Sequence, residues 1–137
     1  MKEKITPNPE RARSLLEMAE NTDKYLKELI AKFSQEENQS IIAREYYEVI
    51  RELISAILIA DGFKIFGESA HKETVEYLKN FKQFSEQEIS EIQDLRVKRN
   101  DSSYEGKQIK KPYIQNKKDR FDSIINKLQE ILNNKLK

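Results

Sequence analysis

The sequence predicts an all-α protein, an up-and-down antiparallel bundle of about five helices that forms one domain over residues 1–137. Three observations support this fold class. Apolar residues recur at helical spacing in five segments. The chain has only three glycines and three prolines, too few to punctuate a many-stranded β protein. Its apolar content of 37% against 36% charged residues is typical of helices that bury one stripe and expose the rest.

The first two helices have clear boundary signals. Asn8 can cap a helix, and Pro9 suits the first helical position, so the first helix is expected from there to about Phe33. The second is expected over about residues 39–60. Its apolar face widens towards its C-terminal end, which is typical of the most buried helix of a bundle. Gly62 is a candidate left-handed cap.

Three further helices follow. Residues 63–67 are expected to form a connector and residues 68–81 a third helix. Ser85 and Glu88 fit a capping box that opens a fourth helix ending near Arg99. Residues 100–115 have no helical period and are expected to form a loop, after which a fifth helix runs from about Phe121 to the C-terminus. The short connections favour antiparallel neighbours.

Composition excludes several classes of site. The net charge of +1 produces no global field for nucleic acid or membrane, and the absence of cysteine excludes disulfides and thiolate metal sites. No signal peptide or membrane span is expected, and the absence of cysteine makes the cytoplasm the predicted location. No phosphate-binding loop, dinucleotide glycine pattern or nucleophile elbow occurs. His71 is the only histidine and is interpreted as structural or solvated, and no metal or cofactor is expected.

Residues 95–106 concentrate polar side chains at the end of the fourth helix. Arg96 and Arg99 are three residues apart and share one helical face, and a guanidinium matches the geometry of a phosphate. Tyr104 offers a phenol or a surface on which a base can stack. Further donors and acceptors come from Asn100, Asp101, Ser102 and Ser103.

This stretch also lies between an acidic segment and a basic segment of the chain. Residues 86–94 are acidic, whereas the chain downstream is basic, at Lys107, Lys110, Lys111, Lys117, Lys118 and Arg120. Local segregation of this kind is typical of a contact with an anion or RNA. The alternative is structural, because the helix dipole favours cations at helix C-termini and Asn-Asp-Ser-Ser is ordinary turn chemistry.

Tyr46 and Tyr47 are adjacent in the second helix, so their side chains point about 100° apart. One is expected to enter the core and the other to lie at an edge. The functional interpretation places Tyr47 at the border of the site around Arg96 and Arg99. The structural alternative is one core aromatic residue and one interface aromatic residue.

Three segments together resemble the HEPN superfamily (higher eukaryote and prokaryote nucleotide-binding domains). Residues 46–62 resemble its buried central helix ending in glycine, residues 68–72 resemble the segment that follows, and residues 95–106 resemble its motif region. That motif has an arginine, often followed by asparagine, and then a histidine four to six residues later. Counted from Arg99 the histidine position falls on Tyr104, and counted from Arg96 it falls on Ser102.

The resemblance implies a helical bundle that commonly forms homodimers, with the motifs of both protomers in one cleft. It also implies metal-independent ribonuclease activity among active members, some of which are toxins paired with a nucleotidyltransferase antitoxin. Because neither Tyr104 nor Ser102 has an imidazole, the first hypothesis is a domain that binds RNA or a nucleotide with weak or no cleavage. The expected ligand contacts are Arg96, Arg99, Asn100 and Tyr104.

Two other hypotheses stay open at the level of sequence. One is a ribonuclease toxin in which Arg99 and Tyr104 act in catalysis, or in which Asp101 replaces the histidine. The other is a structural partner-binding bundle in which Arg96 and Arg99 form ion pairs at a dimer interface. They differ in whether the arginines line a cleft and in whether purified protein cleaves RNA without metal.

Overall fold

A computed structural model of the chain describes residues 1–35 and 37–137. Within these residues lie five α-helices, one 3₁₀ turn and two short strands, and the predicted all-α bundle is confirmed. In chain order the elements are β1 (Lys2–Lys4), α1 (Pro9–Lys32), α2 (Gln39–Asp61), β2 (Phe63–Ile65), α3 (Ala70–Glu76) with the 3₁₀ turn Tyr77–Asn80, α4 (Glu86–Glu105) and α5 (Tyr113–Lys135).

The core is organised around α2, against which α1, α3, α4 and α5 all pack. Leu53, Ile54 and Ile57 of α2 are completely buried. Burying one such side chain stabilises the fold by about 1.5–3 kcal/mol. The widening apolar face in the sequence therefore corresponds to neighbours on several sides of this helix, as the pattern predicted.

Local capping signals are found where the sequence predicts them. The side chain of Asn8 accepts the backbone N–H of Arg11, and Ser85 and Glu88 form both hydrogen bonds of a capping box. Gly62 ends α2 in the left-handed region at φ 85°. A Cβ atom at Gly62 would lie 2.8 Å from the carbonyl oxygen of Ile5, so this close approach requires glycine.

The predicted connector over residues 63–67 contains a strand. Gly62 reverses the chain, and β2 then pairs antiparallel with β1, with Glu3 opposite Lys64. Strands of three residues are too short to produce a recognisable alternation in the sequence. The predicted third helix is also shorter than expected, because α3 ends at Glu76 and tightens into the 3₁₀ turn.

The largest difference concerns the stretch after Arg99. The predicted loop is wrong at its start, because α4 continues to Glu105 and ends at Gly106, whose φ is 69°. Asparagine, aspartate and serine are weak helix formers, but no glycine or proline interrupts the hydrogen bonds before Gly106. At the other end of the connection, α5 begins at Tyr113, earlier than its apolar period indicated.

None of the described helices combines the length and the apolar character needed to cross a membrane.

Candidate functional site

Arg99 lies between two tyrosine rings near the C-terminal end of α4. Its guanidinium carbon is 5.5 Å from the ring centroid of Tyr47 on α2 and 5.7 Å from that of Tyr104. One nitrogen, Nη1, donates to Oδ1 of Asn100 at 3.2 Å and to the hydroxyl of Tyr104 at 3.3 Å. The rings and these acceptors hold the guanidinium without neutralising its charge.

The two adjacent tyrosines of α2 take different positions. Tyr46 is in the core, where its hydroxyl donates to Oδ1 of Asp122 at 2.8 Å. The ring of Tyr47 is also buried, but its hydroxyl lies 3.3 Å from Nδ1 of His71. Tyr47 therefore connects α2 to His71 at the start of α3 and to Arg99 on α4.

His71 is the imidazole of this cluster, and the sequence interpretation did not assign it to the site. It is an exposed residue in the first turn of α3. Partial burial, and after it the positive charges of Arg51 and Arg99, lower the pKa of His71 below its ordinary value. Burial raises the pKa of the Tyr47 phenol, so the phenol stays protonated and can donate to Nδ1 of His71. That hydrogen bond favours the neutral tautomer that carries its proton on Nε2.

The three arginines of the site differ in how their charges are balanced. Arg51, one helical turn after Tyr47, donates from Nε to Glu48 at 3.1 Å and forms an ion pair with it. Arg96 donates from Nε to the amide oxygen of Gln93 at 2.7 Å, which is a neutral partner. Within residues 1–35 and 37–137, neither Arg96 nor Arg99 forms an ion pair. Two positive charges therefore lie side by side without a carboxylate, which is an arrangement suited to an anion.

The remaining predicted residues do not all meet at this point. Asn100 contacts Arg99, and Ser103 shares the helical face of Arg96 and Arg99 because these positions are three or four residues apart. Asp101 instead lines a cavity of about 800 Å³ with Lys98 and Lys107. Ser102 lines a separate cavity of about 440 Å³ that is bordered by the start of α2.

In the structure Asp101 and Ser102 line cavities other than the arginine site, and the expectation that they contribute to that site remains a prediction. It assumed a loop, in which consecutive side chains can turn to one point. In a helix each residue is rotated by about 100° from the last, so neighbouring residues are spread around the axis.

The basic character downstream is also reduced by ion pairs. Lys117 and Arg120 both pair with Glu91, at 3.9 and 3.1 Å, and Lys118 pairs with Asp122 at 2.9 Å. These cations belong to the packing of α5 and not to an open patch. The positive charges that act on His71 at the site come from Arg51, Arg99 and Arg96.

His71 and Arg51 are the two members of the site that sequence reasoning missed. The spacing of four residues between Tyr47 and Arg51 places both on one face of α2, and that signal was available. No local pattern indicates the position of His71, because it depends on how α3 packs against α2.

Comparison of the chain with protein-family models, with curated proteins and with solved structures finds no match. The described part of the chain contains no cluster of three or more histidine, aspartate or glutamate side chains that could hold a metal ion.

Proposed function

We propose that the site binds RNA or a nucleotide, with weak or no ribonuclease activity. One observation carries the proposal: Arg96 and Arg99 present charges that no described carboxylate neutralises, next to Tyr47, His71 and Tyr104. Resemblance to the HEPN superfamily, whose motif region residues 95–106 resemble in their arginine and asparagine but not in the histidine, supports the same assignment.

Each group has a role that follows from its chemistry. The guanidiniums of Arg96 and Arg99 hold a phosphate through parallel N–H donors. The ring of Tyr104 is 75% exposed and offers a base a surface for stacking beside that phosphate. Asn100 keeps the guanidinium of Arg99 oriented by accepting one of its N–H groups.

His71 reports directly on this binding because the chain has no other histidine. Burial, and after it nearby cations, lower the pKa of His71 in the free protein, so a bound phosphate, which offsets the cations, is expected to raise that pKa. The measurement is the pH titration of the His71 imidazole resonances by NMR, without ligand and with a saturating single-stranded RNA oligonucleotide. The rise should shrink as salt is added, since the interaction is electrostatic. Resonances that do not respond to millimolar oligonucleotide would contradict the proposal.

A second candidate function is metal-independent cleavage of RNA, and the position of His71 favours it. In such a reaction the 2′-oxygen forms a bond to the adjacent phosphorus and the bond from phosphorus to the 5′-oxygen breaks. The His71 imidazolium gives its Nε2 proton to the 5′-oxygen, solvent takes the 2′-hydroxyl proton, and Arg96 and Arg99 stabilise the charge on phosphorus. This candidate assigns the acid to His71, whereas the sequence motif pointed to Tyr104.

We also propose that the protein is a homodimer, as the resemblance implies. Val97 and Tyr104 are seven residues apart on α4, so they lie on one face, and both are exposed. A second copy seated on this face would enclose the arginine site. Sedimentation equilibrium measures the mass, and Val97→Glu is expected to shift a dimer towards the 16.2 kDa monomer. An unchanged monomeric mass at all concentrations would remove this proposal.

The proposed cellular context is a cytoplasmic toxin–antitoxin pair with a nucleotidyltransferase antitoxin as partner. The support is the superfamily resemblance together with the cysteine-free composition. Co-expression tests it, because a cognate nucleotidyltransferase should co-purify with the chain and relieve any growth arrest that the chain causes. Failure of both would leave RNA or nucleotide binding as the remaining proposal.

A further inference from the structure

A groove lies near the arginine site. It lies between the N-terminal part of α1, the C-terminal half of α2, β2 and α3, and its volume is about 300 Å³. Arg11, Arg51 and Lys64 line it around an apolar floor that includes Leu15 and Leu58. We call this the Arg11–Lys64 groove.

Arg51 connects the groove with the arginine site along α2, because it lines the groove and its charge acts on Tyr47 and His71. Tyr47, Arg51 and Ser55 are spaced four residues apart on one face, so each step rises about 6 Å along the helix. Tyr47 belongs to the site, Ser55 lines the groove, and Arg51 is placed between them. On α3, Thr74 lines the groove three residues after His71. The groove therefore lies next to the arginine site.

The charge of the groove is of one sign. Its lining contains three cationic side chains and no aspartate or glutamate. Within the described residues, Arg11 and Lys64 form no ion pair, whereas Arg51 is held by Glu48. Two cations that form no ion pair with a described residue complement a chain of phosphates.

We infer that the Arg11–Lys64 groove is a second phosphate and base subsite, so that the ligand is a single-stranded nucleic acid several nucleotides long and not a free nucleotide. This rests on the proposed function. The cations hold backbone phosphates that lie beyond the one on Arg96 and Arg99, and the apolar floor accepts an unstacked base. A paired base in a duplex cannot reach into such a recess, which is why the groove selects a single strand.

The test compares two ligand lengths in the full chain. Arg11→Ala/Lys64→Ala is expected to weaken binding of a ten-nucleotide single-stranded RNA about tenfold at low salt, because about two phosphate contacts are lost. The slope of log K against log salt should fall by about 1.4, at 0.7 per contact. Binding of a mononucleotide, which fills only the arginine site, should not change. Lys24→Ala/Lys32→Ala is the matched control, because both lysines are exposed on α1 outside the groove.

The outcomes separate the two proposals. The groove proposal is overturned if Arg11→Ala/Lys64→Ala binds the ten-nucleotide RNA as tightly as the wild type, or loses no more affinity than the lysine control. The proposed role of the arginine site is unaffected by that result. Equal weakening of mononucleotide binding also overturns the groove proposal. Tighter binding of a duplex than of a single strand overturns it as well. If the wild type binds neither ligand, both the groove and the proposed function fail. Circular dichroism of each variant establishes that the comparison is between folded proteins.

Discussion

Binding of single-stranded RNA is expected to fall about 100-fold when Arg96 and Arg99 are both replaced by alanine. Each guanidinium can form charge-assisted hydrogen bonds with a phosphate, worth about 1.5–3 kcal/mol when the partner is held in place. Since 1.4 kcal/mol is a factor of ten in affinity, losing both at the lower end of this range predicts a change of roughly two orders of magnitude. Fluorescence anisotropy with a labelled oligonucleotide at low salt measures it.

The same substitutions should leave the fold almost unchanged. Neither arginine forms an ion pair with a described residue, and both lie near the end of α4, so we expect the free energy of unfolding to change by no more than about 1 kcal/mol. Lys98→Ala is the matched control, because Lys98 belongs to α4 but lines the opposite cavity. Arg99→Lys should bind with intermediate affinity, since it keeps the charge and loses the planar fork. Retained affinity in the double variant would contradict the proposed site.

If the protein cleaves RNA, His71→Gln is expected to reduce the rate about 100-fold or more while binding changes little. General acid catalysis contributes about 10²–10⁴ in rate, and glutamine cannot supply the proton. The rate of the wild type should fall as pH rises, because the imidazolium is the active form and a higher pH removes its proton. The assay is single-turnover cleavage of labelled RNA in the presence of a chelator.

Variants of the two tyrosines distinguish the alternatives for the acid. Tyr47→Phe removes the hydroxyl that lies 3.3 Å from Nδ1 of His71, so it should shift the pH profile and slow cleavage less than His71→Gln does. Tyr104→Phe keeps the stacking surface and should have the smallest effect. If Tyr104→Phe abolishes cleavage and His71→Gln does not, the sequence-based choice of Tyr104 is correct and the role given to His71 is wrong.

The sequence by itself determined the helical bundle, its central helix and several helix ends. Asn8, the Ser85–Glu88 pair and Gly62 act on backbone groups within four residues of themselves, so their effects can be read locally. The apolar periodicity of α2 likewise reflects burial on a repeating helical face. The concentration of polar groups in residues 95–106 also identified Arg96 and Arg99, which are neighbours on one helical turn.

Only the tertiary structure decided which groups share the site. His71 meets Tyr47 across 24 positions of sequence, and the register between α2 and α3 that brings them together has no local signal. Because α4 continues past Arg99, Asp101 lies on a different side of the helix from Arg96 and Arg99, although all three residues are close in the chain. Local signals specify which residues are helical, whereas a site depends on the packing of side chains from different helices. That packing depends on contacts along the whole chain, and for this reason it places Asp101 at another cavity and brings His71 beside Tyr47.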